Sequence, residues 1–245
     1  MPAPALRSLR QLVVHPAAFF EERGVAETLP IAIGLVIAFA VALAIGVALV
    51  GSMLAGAIDA TVTVDNPDRP PEWVCEQHAD DPDSMFGDGC DEPETVERDV
   101  GPMVYDAATD QIPTLFVAPF VLWLLGTAVV YAAGRIAGGS PTFGGSLSLA
   151  GWAALPEFFR LAVGLVALRY VLSDLTITDP EQSVDVLESA FAPIEPAITA
   201  ATVLTVAWQW YLLTGGLSVE AEIPKRVAAV AIGVPLFIWF LITLA

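Results

Sequence analysis

Lysine is almost absent from this 245-residue chain: Lys225 stands alone, and with the arginines the basic total reaches only 10, against 28 Asp plus Glu, for a formal net charge of -18. So few cations in so acidic a chain repel nucleic-acid phosphates and anionic lipid surfaces, which excludes a nucleic-acid-binding function. Cysteine is limited to Cys75 and Cys90, and histidine to His15 and His78. No Ser-His-acid or His-Glu-x-x-His pattern occurs, and Gly138-Gly139 and Gly144-Gly145 lack the Lys of a phosphate loop. No catalytic residue and no cofactor-binding residue is assigned, and the chain reads as a non-enzyme.

Apolar residues, by contrast, make up 56% of the chain. High acidity accompanies disorder when apolar content is low; here both are high, so charge and hydrophobicity must be segregated along the sequence. No charge interrupts the 31 residues between Glu27 and Asp59, and Ile31 to Val50 consists of Ala, Val, Ile, Leu, Phe and Gly. That exceeds the roughly 20 residues needed to cross about 30 Å of hydrocarbon. Spans are expected at about 30–57, 112–133, 147–172, 197–214 and 227–244. A helix apolar all round must be buried or lie in lipid, and five of them leave too little polar chain to cover them. A cleaved signal is the alternative for the first span, with Arg7 and Arg10 before it and Ala55-Gly56-Ala57 as a small-residue site. Its apolar run is about twice the roughly 7 to 15 residues of a signal core, which favours a retained span.

The fold expected is therefore all-α: a polytopic membrane helical bundle of five transmembrane helices. Basic residues near span ends favour the cytoplasmic side. An inside N-terminus places Arg7, Arg10, Arg23, Arg135, Lys225 and Arg226 in the cytoplasm and leaves Arg69, Arg98 and Arg169 outside. An odd number of spans then puts the C-terminus outside the cell membrane. Sixteen acids fall between Asp59 and Asp110 and six between Asp174 and Glu195, both in outside segments. Such a surface suits high salt, where carboxylate repulsion is screened over about 3 Å at 1 M, and points to halophilic adaptation.

Residues 1–28 form an interfacial segment ahead of the membrane domain, 29–245. Leu6, Leu9, Leu12 and Val13 recur at helical spacing, so Ala5 to Glu22 reads as an amphipathic helix on the membrane surface, with Phe19 and Phe20 as its anchors. A lead-in packed on the bundle is the alternative. Trp208, Trp210 and Tyr211 are placed at the cytoplasmic end of the fourth span, as headgroup anchors. The acidic extracytoplasmic insertion, 59–110, holds six prolines and both cysteines. Cys75 and Cys90, fifteen residues apart in an oxidising compartment, read as a disulfide worth about 3 kcal/mol. The alternative is a metal site built from Cys75, His78 and Cys90 with Asp88 or Asp91. Calcium at Asp80, Asp81, Asp83 and Asp88 lacks the ligand alternation and sixth-position Gly of an EF-hand loop. The second outside segment carries a short amphipathic helix, with Asp185 and Glu188 opposite Val184, Leu187 and Phe191.

Within the third span, Pro156 falls mid-helix, where it removes a backbone donor and kinks the chain. Glu157 and Arg160 follow at a spacing that lets them pair on one helix face, as a gate or substrate contact or as a structural pair.

Several short stretches carry a resemblance to a known family: His15-Pro16-Ala17-Ala18-Phe19-Phe20 before the first span, Gly138-Gly139-Ser140-Pro141-Thr142-Phe143 leading into Gly151-Trp152-Ala153-Ala154-Leu155-Pro156, then Gly216-Leu217 and Pro224-Lys225-Arg226. With the five spans, they make the chain resemble the Yip1 family, as a prokaryotic member of haloarchaeal type. The family's usual His-Gly after the fourth span is replaced around Glu220-Ala221, and the long acidic loop is an insertion relative to compact members. The resemblance implies a bundle that acts through partners; eukaryotic members are associated with small GTPases and vesicle traffic. The expected function is a scaffold or adaptor for other membrane proteins in the lipid bilayer, with a small permease using the third span as the alternative. Self-association into a homo-oligomer stays open.

Overall fold

The computed structural model describes residues 3–77, 87–173, 175–178 and 183–244. Helices α1 (Ala3–Val14) and α2 (Pro16–Arg23) precede α3 (Leu29–Ala57), which is entered through one 3-10 turn. The amphipathic segment is thus two helices rather than one. Pro16 has no N–H to continue α1 and its fixed φ starts α2 instead.

Strand β1 (Thr61–Asp65) follows, then the short helices α4 (Glu72–Gln77) and α5 (Gly87–Cys90), and strand β2 (Thr95–Asp99). The two strands pair antiparallel from Thr61↔Asp99 to Asp65↔Thr95. What reads in the sequence as an acidic loop is therefore a ribbon, and its signal was the alternation Thr-Val-Thr-Val-Asp with Val62, Val64 and Val96 half-buried.

The polar segment between the first two spans also gives way to helix before 110. Helix α6 (Val100–Thr109) runs with a short bend into α7 (Ile112–Ile136) and packs along the end of α3. Small residues set that approach: a Cβ on Gly101 would lie 2.8 Å from the Ala55 carbonyl oxygen. The remaining helices are α8 (Phe143–Trp152), α9 (Leu155–Leu172), α10 (Ser183–Phe191), α11 (Glu195–Glu220) and α12 (Lys225–Leu244).

Among the described residues, five stretches are long and apolar enough to cross a membrane: Ala26–Ala57, Val100–Ile136, Phe143–Leu172, Glu195–Glu220 and Lys225–Ile242. Their outer faces carry rows of exposed Val, Ile, Leu and Phe, as lipid contact requires.

The core sits at the end of the bundle that carries α1 and α2, called proximal here. Phe19, Phe20, Leu149, Trp152, Leu212, Leu217 and Ile232 are all buried in it. At the distal end, Ala57, Leu168 and Leu172 form a smaller cluster, covered by Leu187 and Phe191 of α10. A bridge between Ile58 and Ile177 closes that end, with Asp59 N–H donating to the Ile177 carbonyl at 2.8 Å.

Candidate functional site

The third span is discontinuous. Helix α8 stops at Trp152 and α9 restarts at Leu155, so Pro156 stands in the first turn of a new helix and does not kink a continuous one. The physical reason lies in Pro156 itself. It offers no N–H to the Trp152 carbonyl four residues back, so the helical ladder of α8 cannot be carried across that point. Shorter bonds bridge the gap, from Ala154 N–H to Gly151 and from Glu157 N–H to Ala154, both at 3.1 Å. The ten residues of α8 measure about 15 Å, which places the break near the middle of the bundle.

Glu157 and Arg160 meet at that break, with Arg160 Nη2 2.7 Å from Glu157 Oε2. A third residue, which sequence reading missed, completes the group. Gln209 of α11 donates through Nε2 to Glu157 Oε1 at 2.7 Å and to the Ala153 carbonyl at 3.0 Å. One amide thereby ties the loose end of α8 and the carboxylate of α9 to a neighbouring helix. Gln209 was legible as the one amide within the fourth span, but its partners lie 52 and 56 positions away. Glu157 is 19% exposed and Arg160 46%, so the carboxylate is held between helices while the guanidinium reaches the bundle surface. On the same α11 face, Thr205 Oγ1 and Trp208 Nε1 are buried without a hydrogen-bond partner.

The proposed headgroup anchors are placed differently from expectation. Phe19 and Phe20 are 4% and 0% exposed and belong to the core. They stack edge-on with Trp152 at centroid distances of 5.3 and 6.2 Å, because α2 turns inward across α8 and α11. Gly215 and Gly216 leave room for it: a Cβ on Gly216 would lie 3.1 Å from Phe20 Cε2 and 2.1 Å from Leu149 Cδ2. Trp152 donates through Nε1 to Thr28 Oγ1 at 3.0 Å, and Thr28 bonds Ser148 at 2.9 Å, so these three side chains satisfy one another, whereas Arg23 Nη1 and Thr214 Oγ1 are buried nearby without a hydrogen-bond partner. Helix α11 continues to Glu220, six residues beyond the expected end of the fourth span at 214, so Trp208 and Trp210 lie near its middle rather than at a boundary. Trp210 Nε1 donates to the Ala229 carbonyl of α12 at 2.8 Å.

Cys75 and Cys90 are joined by a disulfide, with their Cα atoms 5.5 Å apart. Both sulfurs are thereby withdrawn from metal ligation. His78, Asp80, Asp81 and Asp83 lie outside the described residues. Arg69 supports the same clasp, donating through Nη1 to the carbonyls of Cys90 and Glu92 and pairing with Glu94 at 3.6 Å.

The stretches that carry the family resemblance converge at the proximal end. α2 packs on Gly215 and Gly216, Gly151 meets Ala32, and Ser140 N–H reaches the Ala221 carbonyl. Neither the curated proteins nor the solved structures searched give a match to this chain. The model of the Yip1 domain matches residues 10–245, from the first helix to the end of the fifth span. Five apolar spans and a match over nearly the whole length establish a multi-pass membrane protein that belongs to the Yip1 family.

Proposed function

We propose that this protein is an integral membrane scaffold that organises other membrane proteins through its distal face. The observation that carries the reading is the disulfide-clasped ribbon. Among the described residues, β1 and β2 pair only with each other, so each has an unpaired edge open to strand addition by a partner. Asp65, Glu94, Glu97 and Asp99 stand exposed along it and suit a basic partner surface. Orientation with the N-terminus in the cytoplasm and the C-terminus outside the cell membrane is supported by Arg23, Arg135, Lys225 and Arg226 at the proximal end. The disulfide then lies in an oxidising compartment, and the acidic ribbon suits the high salt of a haloarchaeal surface.

The test is affinity purification in mild detergent at high salt, comparing the intact chain with one in which residues 61–99 are replaced by a Gly-Ser linker. Loss of co-purifying proteins with unchanged bundle helicity supports the scaffold. An unchanged set of companions defeats it.

A second reading, a small permease, is favoured by the discontinuous third span. Broken helices near mid-membrane, with charged side chains at the break, are the architecture of substrate and ion pathways. Reconstituted Glu157→Gln at normal expression separates the two, since a permease loses flux and a scaffold keeps its partners.

A further inference from the structure

The distal ends of α3 and α9 border an open cleft of about 340 Å³, within the roughly 300–1,000 Å³ of small-molecule sites. Its lining divides by polarity. Ser52 of α3, with Arg169 and Ser173 at the end of α9, are exposed and form the rim. Met53, Ala57 and Leu172 form the floor, the last two buried in the distal apolar cluster. Among the described residues Arg169 makes no ion pair, whereas Arg69 and Arg160 both do. The two serine hydroxyls donate to carbonyls one turn back, Ser52 to Leu49 at 2.8 Å and Ser173 to Tyr170 at 2.9 Å. Hydroxyl rotors exchange such neutral bonds readily for a charged acceptor.

The location adds the second constraint. Arg169 sits in the last turn of a membrane-spanning helix beside Tyr170, which is 74% exposed, at the depth where cations and aromatic rings meet lipid headgroups. Val166, one turn deeper, is 70% exposed and continues an apolar track from the cleft along α9 toward the hydrocarbon. A cationic rim above an apolar floor that opens onto an apolar helix face is complementary to an amphiphile with an anionic head.

We propose that this cleft binds the phosphodiester headgroup of a membrane phospholipid, with Arg169 paired to the phosphate and the glycerol and first acyl carbons against Met53, Ala57 and Leu172. A net charge of -18 opposes every anion, and the lipid is selected over free phosphate because the bilayer holds an acyl-anchored phosphate at the cleft mouth at high local concentration.

The experiment uses the full chain, delipidated in nonionic detergent, with phosphatidylglycerol added and bound lipid counted by native mass spectrometry. Dioleoylglycerol and inorganic phosphate are the comparison probes. The expected result is one retained phosphatidylglycerol, at least ten-fold weaker retention in Arg169→Gln, and unchanged retention in Arg98→Gln, which removes an equal charge from β2. Gly56→Leu tests the cleft without touching charge: Gly56 lines it, an added Cβ there meets nothing within 4 Å, and leucine fills the space. That variant is expected to lose the lipid as well. Wild-type retention in Arg169→Gln or in Gly56→Leu overturns the proposal. So does dioleoylglycerol binding as tightly as phosphatidylglycerol, or displacement of the lipid by millimolar inorganic phosphate.

Discussion

Glu220 and Thr142, 78 residues apart in the chain, are joined by two hydrogen bonds: the Thr142 backbone N–H at 2.9 Å and its hydroxyl at 2.6 Å both donate to Glu220 Oε1. Thr142 in turn accepts from Gly145 N–H at 3.0 Å as the N-cap of α8. A carboxylate from the end of α11 thus sits on the positive end of α8, where the helix dipole favours it. Glu220 thereby latches the end of α11 to the start of α8.

That latch requires Gly145, because a Cβ there would lie 2.0 Å from Glu220 Cδ. Gly145→Ala is expected to lower stability by about 1–2 kcal/mol, the scale of a lost helix cap. In a Glu220→Ala background the same change is expected to cost less than half as much, since the obstacle is gone. Unfolding of the four variants of this cycle in a denaturing detergent titration measures the coupling, and additive losses refute it.

Phe20 is fully buried between α8 and α11. Truncation to Ala is expected to cost about 3–5 kcal/mol and to release α2 from the bundle. Arg23, which lies 4.4 Å over the Phe19 ring and bonds Ser8 at 2.7 Å, then becomes accessible to trypsin. Faster cleavage after Arg23 in Phe20→Ala than in wild type is the readout. Equal rates sink the inward placement of α2.

At the break in the third span, Gln209→Leu removes two hydrogen bonds and is expected to cost about 1 kcal/mol, the scale of polar contacts between membrane helices. Glu157→Gln is expected to cost more, because it leaves Arg160 without its counter-charge near mid-bundle. Adding Arg160→Gln to Glu157→Gln is therefore expected to recover stability. A double variant less stable than Glu157→Gln contradicts this account.

The Cys75–Cys90 bond closes a separation of 15 residues, for which loop-closure entropy gives about 3 kcal/mol. Because the clasp lies in the ribbon rather than the bundle, Cys75→Ser with Cys90→Ser is expected to speed proteolysis between 61 and 99. The detergent unfolding midpoint of the helices is expected to stay unchanged. A fall in that midpoint shows that ribbon and bundle unfold together.

Hydrophobic segregation made the membrane bundle legible. A charge-free run from Thr28 to Ile58 gives a helix with no charged face to turn to water, and four later stretches are also long and apolar enough to span. Boundaries were less legible, because helices such as α11 continue past the apolar stretch when tertiary contacts such as the Glu220 latch hold their ends. Phe19 and Phe20 were misread because apolar periodicity reports which face is buried and not what buries it. Lipid and a glycine-lined helix surface demand the same residues.

Composition and the order of residues alone determined that this is a multi-span membrane chain, since lipid solvation acts on each segment independently of the rest. Only the tertiary structure decided that Pro156 divides a span, that Gln209 joins Glu157 and Arg160, that Phe19 and Phe20 face inward, and that Arg169 shares a cleft with Ser52. Apart from the break at Pro156, each of these depends on a close approach between residues far apart in the chain. Such contacts are set by where small residues let helices meet, a property of pairs of surfaces that no single segment encodes.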